Sequence, residues 1–562
     1  MNREMSRTAG REMRHEKRRK LQPVRVALLL TLAALSACAV GPRYRRPPAP
    51  ADAGYSPTPL PQSSAAAPVQ EGGPVHGGEA QQLISGRDIP FEWWKLFDSP
   101  ALNALVERAF KANPTIAAAQ AAVVQAQELV YAQRGFFFPT IAANYNFERQ
   151  KLSGNLSVDN APGTEGDGHN LNPPPNAQPL FYNFHTAQVT VGFVPDLFGA
   201  NYRQMESLEA QRDAQRFALE ATYITLASNV VAAAIQEASL RAQIEATRQI
   251  IAAEEKSLSI LRDQFRLGLA MRMDVAAQET ALAQAEATLP PLQSQFEQTR
   301  DLIRALVGNL PNQDVAETFE FDALQLPPEL PLSLPAKIIE QRPDVRAAEA
   351  ELHAANAQVG VAVAAMLPQI SITGTVGGNA DEFAWMFRHG GTFWTLIGNV
   401  TQPLFEGGTL LHRKRAADEA LKQAAAQYQS SVLTAYQNVA DTLHASLSDA
   451  IALAADVRAE NAAKVSYDLT RRQMDVGYVN TLILLNAEMT YQQALIQRVQ
   501  GQATRYGDTV ALFQALGGGW WNRKGESDSG ARGASVTPSG ADPDHTGSTL
   551  ASAAGSGSMT SR

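Results

Sequence analysis

The chain is short of cysteine, of metal-binding patterns and of positive charge, and each shortage removes a class of protein. Cys38 is the only cysteine among 562 residues. An intrachain disulfide and any cysteine cluster for zinc or iron–sulfur are thereby excluded. Nine histidines are scattered without the H-E-x-x-H spacing of a zinc hydrolase. The sequence has no Gly-x-Ser-x-Gly turn for a serine nucleophile and no Gly-Lys-Ser/Thr loop for a nucleotide phosphate. No catalytic site and no cofactor are expected. The formal net charge is −8, whereas binding a phosphate backbone calls for a basic excess, so no nucleic-acid partner is expected. Hydrophobic residues make up 45% and charged residues 19% of the chain, ordinary values for a protein that buries a core.

The amino terminus carries an address. A basic stretch (Arg14 to Arg25) precedes an apolar run from Val26 to Leu35, then Ser36-Ala37-Cys38. Basic, apolar, small is the order of a secretory signal, and the run is too short to span a bilayer. Leu35-Ser36-Ala37-Cys38 resembles a bacterial lipoprotein box. That resemblance implies a signal peptide at 1–37 and a covalent lipid on Cys38. Ala39, where inner-membrane lipoproteins usually carry aspartate, implies sorting to the outer membrane. Pro, Gly, Ala and Gln dominate 42–90, so 38–90 reads as an acylated, extended, poorly packed tether. Gly, Ser, Ala and Asp dominate 522–562, which reads as a disordered tail.

Between these ends the chain is duplicated. Gly199 and Gly268 enclose 68 residues without Gly or Pro, and so do Gly408 and Gly477. The two pairs, and Gly308 with Gly517, share an offset of 209 residues. Pro114 and Pro139 are 25 apart, as are Pro343 and Pro368. These latter pairs are offset by 229, so the first copy holds about twenty extra residues, assigned to a loop at 153–179 rich in Gly, Asn, Asp and Pro. The repeats are placed at 91–310 and 342–521, with a linker at 311–341.

Each 68-residue stretch is built of Ala, Gln, Glu, Leu and Arg, mostly strong helix formers. A continuous helix of that length would be roughly 100 Å long, which implies a coiled coil or a helical tube. A second helix is expected from about Met273 to Val307, and from about Thr481 to Ala515, giving each copy a long antiparallel pair. Before the long helix, each copy alternates apolar with polar residues. Ile141, Ala143, Tyr145 and Phe147 alternate with Ala142, Asn144, Asn146 and Glu148. The pattern predicts strands near 136–150, 186–196, 368–378 and 392–404. A membrane barrel turns such an apolar face to lipid and the polar face to water. Four strands are too few to close one, so the barrel would need several chains.

Several short motifs then converge. Cys38-Ala39-Val40-Gly41-Pro42-Arg43-Tyr44, Trp93-Trp94-Lys95-Leu96-Phe97-Asp98-Ser99-Pro100, Arg342-Pro343-Asp344-Val345 and Ala515-Leu516-Gly517-Gly518-Gly519-Trp520 occur in this order. Together with the repeat, the chain resembles the TolC/OprM-type outer-membrane efflux lipoproteins (NodT-like) from about Cys38 to Trp521. The resemblance implies an α+β homotrimer in outer-membrane lipid. A 12-stranded β-barrel would continue into a 12-helix periplasmic α-barrel. Its partners would be a periplasmic adaptor protein and an inner-membrane pump, of the proton-driven RND type. The resemblance places the periplasmic gate around Gly268 and Gly477. Relatives carry aspartate rings where this chain has Ile483 and Asn486, which implies a less acidic constriction. Asp274 reads either as an acidic residue at the tip or as a helix N-terminal carboxylate.

Other features have plainer readings. Glu254-Glu255 reads as part of a solvated helix face, Trp93 and Trp94 as packing, and His412-Arg413-Lys414-Arg415 as a solvated helix start, with lipid phosphates the alternative. A channel for protein secretion by an ABC transporter, and a strandless periplasmic coiled-coil rod, are the competing functions.

Overall fold

The structure is a computed structural model that describes residues 39–50, 54–70, 73–152, 180–333 and 335–523. The signal segment 1–37, Cys38, the loop at 153–179 and the tail beyond 523 lie outside the described residues. The fold is that of a unit ending at Trp521; residues from Asn522 onward form a separate unit.

Each repeat opens with a helix that starts at a proline. These helices are α1 (Pro100–Ala112) and α2 (Pro114–Arg134) in the first copy. Proline suits a first turn because the N–H it lacks would have had no helical partner. Asn113 caps α2, its Oδ1 accepting from Thr115 N at 2.8 Å. Strands β2 (Thr140–Leu152) and β3 (Leu180–Phe193) follow, after β1 (Gln82–Ser85) in the tether. Next come α3 (Ala200–Arg266) and α4 (Arg272–Leu306). The linker contributes β4 (Glu329–Leu332). The second copy repeats the plan with α5 (Pro343–Ala364), β5 (Gln369–Ala380), β6 (Thr392–Thr401), α6 (Thr409–Asp475) and α7 (Thr481–Ala515).

Both long helices have 67 residues and both returning helices 35, the equal lengths expected of a duplication. Helix α4 runs through Pro290-Pro291. Both prolines are exposed, so the carbonyls they leave unpaired can be met by water.

The core is a belt around the middle of the long helices. Trp93 and Trp94 are buried there with Phe97, Leu102, Val230, Phe319 and Phe513. Trp93 stacks on Phe513 with centroids 5.2 Å apart, and Tyr506 donates to Leu324 O at 2.8 Å.

The tether departs from the loosely packed segment expected. Tyr44 stacks on His353 at 4.2 Å, and Arg46 pairs with Glu349 at 3.0 Å. Tyr55 is buried and donates to Ser333 O, and Gln81 is fully buried. Strand β1 pairs in parallel with β4. Its composition concealed this because the partners of Tyr44, Arg46, Tyr55 and β1 lie hundreds of residues away, where a polar segment can satisfy its backbone against a preformed surface.

Candidate functional site

The four-stranded antiparallel sheet has the order β2-β3-β5-β6. Its register decides what each face carries. Ile141 lies opposite Val191, which is opposite Gly374 and then Leu396. One pair along, Ala142, Thr190, Thr375 and Thr395 share the other face. One face thus gathers Ile141, Val189, Ile372, Val376, Trp394 and Val400, and the other gathers Asn144, Gln188, Thr190, Ser371, Thr375 and Asn399. Such a sheet fits between lipid and water. It also gives a register to Thr392–Thr401, where the sequence alternation is blurred. The strands begin later or end earlier than expected at several ends. Gly135–Phe137, for instance, is a 3-10 turn that closes α2 before Pro139.

The base of the sheet meets the start of the described chain. Val40 N donates to Phe198 O at 3.1 Å, and Arg203 Nε donates to Val40 O at 3.0 Å. Gly199 caps α3 at φ +75°, and a Cβ built there would lie 2.7 Å from Ala39 Cα. Cys38 is outside the described residues, but its neighbour is held where the sheet joins the helices. Gly199→Val is expected to strain the backbone and push the segment off α3, at about 1–3 kcal/mol. Faster limited proteolysis within residues 40–46 is the measurement that checks it.

At the other end, α3 and α6 both stop on a left-handed glycine. Gly268 has φ +76° and Gly477 φ +77°, and nothing lies within 4 Å of a Cβ built on either. Glycine is needed here for the backbone angle, not for room. Leu269 N reaches Gln264 O at 2.8 Å and Tyr478 N reaches Gln473 O at 2.9 Å, closing both turns alike. The following helices are capped by different means. Asp274 Oδ2 accepts from Met271 N at 3.0 Å, whereas Asn480 Oδ1 accepts from Ile483 N at 3.1 Å. The Asp274 carboxylate therefore caps a helix N-terminus. Ile483 and Asn486 are exposed on the first turns of α7. Exposed apolar side chains crowd both turns, among them Leu267, Leu269, Met273, Val476 and Tyr478.

Sequence reasoning missed a buried pair near this end, Glu254 standing about 18 Å along α3 from its last residue and Glu488 about 10 Å along α7 from its first. Glu254 of α3 is 2% exposed and Glu488 of α7 is 4% exposed, which corrects the solvated reading of Glu254. Gln278 Nε2 of α4 donates to the Glu254 carboxylate. Burial, then the charge of Glu254, pushes Glu488 up to about 7, against the pull of Arg471. Burial also raises Glu254, opposed by hydrogen bonds from Gln278 and Gln492. A helical wheel taken from sequence alone does not distinguish a carboxylate facing water from one facing a neighbouring helix.

No group of three or more metal-ligating side chains occurs among the described residues. A cleft of about 1020 Å³ runs over α3 between α4 and α7 and is lined by arginine, glutamate, glutamine, aliphatic and aromatic groups. The basic cluster opening α6 sits at the helical end of the sheet, where Lys414 pairs with Asp418 at 2.7 Å.

Residues 105–309 and 334–518 match the family described as "Outer membrane efflux protein". The pyoverdine export outer membrane protein OpmQ of Pseudomonas putida is 27% identical over 464 residues, covering 82% of this chain and 94% of its own. The toluene efflux pump outer membrane protein TtgF of the same species is 27% identical, covering 87% of this chain and 95% of its own. The solved outer-membrane channel OprN superposes with a TM-score of 0.73 at 25% identity, covering 86% of this chain and 100% of that one. The Campylobacter jejuni CmeC channel shares the fold with a TM-score of 0.72 at 20% identity, covering 86% of this chain and 95% of that one.

Proposed function

The chain belongs to the outer membrane efflux protein family, and we propose that three copies of it form one exit duct for small toxic molecules. The family places it in the outer membrane with its helices in the periplasm, as the outer-membrane component of an efflux pump.

The observation that carries the trimer is the sheet itself. It has four strands, a lipid-compatible face, a polar face, and β2 and β6 as open edges among the described residues. Open edges are not tolerated in lipid, so other copies must close it. Two copies would give an eight-stranded barrel, whose interior side chains fill. Three give twelve strands and leave a water-filled lumen. The same three copies would set their long helices side by side as a periplasmic tube. The ordered strands weigh against a strandless coiled-coil rod.

Lipidation of Cys38 is supported by the fixed position of Ala39 at the sheet base, level with the inner leaflet. The exposed apolar turns around Gly268 and Gly477 suit docking by a periplasmic adaptor, which would link the duct to an inner-membrane pump. Energy would come from that pump. The relatives' names, with toluene, solvents and antibiotics among them, favour small amphipathic cargo over protein.

Deleting and restoring the gene while measuring accumulation of dyes, antibiotics and solvents tests the reading. Accumulation should rise on deletion and fall on restoration. Unchanged accumulation together with loss of a secreted protein from the medium would instead favour the protein-export channel. At the constriction, Ile483 and Asn486 would leave the duct weakly cation-retaining. Asn486→Asp is expected to strengthen divalent-cation block and cation selectivity in single-channel recordings. Identical traces would remove those positions from the constriction.

A further inference from the structure

The sheet's apolar face changes character at the end farthest from the helices. Chain direction identifies that end: β2 ends and β3 starts there, as β5 ends and β6 starts. With the helices in the periplasm, it is the extracellular rim. Tyr145 and Phe147 lie on the apolar face near this end, with Phe181 on the same face opposite Lys151. The segment 381–391 folds onto that face. Phe383 sits edge-on to Tyr145 at 5.9 Å and to His185 at 6.2 Å, and Met386 is fully buried. Trp385 and Phe387 remain exposed. Tyr145, Phe147 and Phe383 therefore cluster on the outward surface toward the rim, where a barrel carries its interfacial aromatics, and Phe181 lies two steps nearer the rim.

Two cations stand beyond Tyr145 and Phe147 on the same outward face, the outer one level with Phe181. Arg149 and Lys151 continue the parity of Ile141, Ala143, Tyr145 and Phe147. Each step of two residues advances about 7 Å along the strand. Both side chains are exposed, and neither has a carboxylate partner among the described residues. Lys151 Nζ lies 5.4 Å from the Phe181 ring centroid. Arg388 is also exposed in the folded segment, along with the acids Asp381 and Glu382. Glu148 belongs to the opposite, polar face. A cation facing lipid is costly at the bilayer middle and cheap at the interface, where it can meet anions. Beyond Tyr145 and Phe147, these two sit where acyl chains give way to phosphorylated sugar.

We infer that Arg149 and Lys151, above the aromatic cluster of Tyr145, Phe147 and Phe383 and with Phe181 level with Lys151, form a binding surface for the phosphates of the outer leaflet's glycolipid. The inference rests on the barrel reading above. The basic cluster Arg413-Lys414-Arg415, at the opposite end of the sheet, faces the other leaflet and is the internal control. Arginine offers two parallel donors to phosphate, and lysine a point charge.

The test uses the full-length acylated trimer in detergent, titrated with bis-phosphoryl lipid A, with dephosphorylated lipid A and with phosphatidylglycerol, bound lipid being counted by native mass spectrometry. Bis-phosphoryl lipid A is expected to bind most tightly. Arg149→Gln/Lys151→Gln should weaken it about tenfold, and Arg413→Gln/Lys414→Gln should leave it unchanged. The charge-keeping Arg149→Lys should retain most of the affinity and guards against a folding defect. Unchanged binding in the glutamine pair, or equal binding of dephosphorylated lipid A or phosphatidylglycerol, would overturn the assignment. Channel conductance in planar bilayers is read separately on the parent. Its absence would count against the barrel rather than against the phosphate surface.

Discussion

Arg300→Met is expected to lower the stability of the belt by about 3–5 kcal/mol, the cost of breaking a buried ion pair from one side. Arg300 is 6% exposed and Glu237 fully buried. Arg300 Nη1 lies 3.4 Å from Glu237 Oε2 and donates to Glu317 O at 2.7 Å. Its Nη2 donates to Asp314 Oδ1 at 2.7 Å. Without the guanidinium, Glu237 keeps only Arg241, at 2.9 Å, and two linker carbonyls lose a donor. The midpoint of denaturant unfolding by circular dichroism reads the loss. Arg300→Met/Glu237→Met should recover much of it, since two apolar groups leave no charge behind. A double variant no better than the single would mean that the carbonyl bonds, not the ion pair, carry the effect. The second repeat fills these positions differently. Ser446 and Thr509 stand 209 residues after Glu237 and Arg300. The arginine there is Arg505, fully buried, donating to Ser446 O at 2.6 Å and to the tether's Ser64. One copy ties its helices to the linker and the other ties them to the tether.

Glu488→Gln is expected to stabilise the periplasmic half at and above pH 7, by about 1–2 kcal/mol, and to change nothing near pH 4. The sign follows from the raised acidities. In the unfolded chain Glu488 ionises near the ordinary glutamate value, whereas in the fold it holds its proton to about 7. The folded state therefore binds more protons between these limits. Stability is full below the unfolded value and falls as pH rises through the folded one. Glu254 shifts in the same direction. The groups facing the pair include Gln278 of α4, Gln492 of α7, and Tyr467 and Arg471 of α6, and of these only Arg471 carries positive charge to offset ionisation. Melting the parent and the variant at several pH values tests this. The parent should lose stability from about pH 5 to 8 and the variant much less. Parallel curves would mean that Glu488 is already ionised and paired in solution. Because the pair packs α3 against α7 near the turns at Gly268 and Gly477, these helix ends should also separate more readily at alkaline pH.

Much of this was legible in the residues. The glycine pairs at 199/268 and 408/477 bracket helices that the structure gives equal lengths, because a run without glycine or proline contains nothing to stop a helix. The strand alternation of 141–148 was legible because pleating puts neighbouring residues on opposite faces. Thr392–Thr401 was blurred because Phe393 and Ile397 lie on the otherwise polar face. The tether was misjudged because Pro and Ala, read locally, carry no sign of a distant partner. Gln81 shows the point, donating to Pro327 O at 2.9 Å across 246 residues.

The sequence by itself determined the duplication, the helix lengths, the turn glycines and the two-faced strands, because all of these follow from local backbone preference and periodicity. Only the tertiary structure decided which polar side chains are buried. Glu254, Glu237 and Arg505 lie on helices whose composition suggests a wet surface. Each is buried because distant segments close over it, α4 and α7 over Glu254, α4 over Glu237, α6 and the tether over Arg505, and that facing is a property of packing, absent from any one helix's residues.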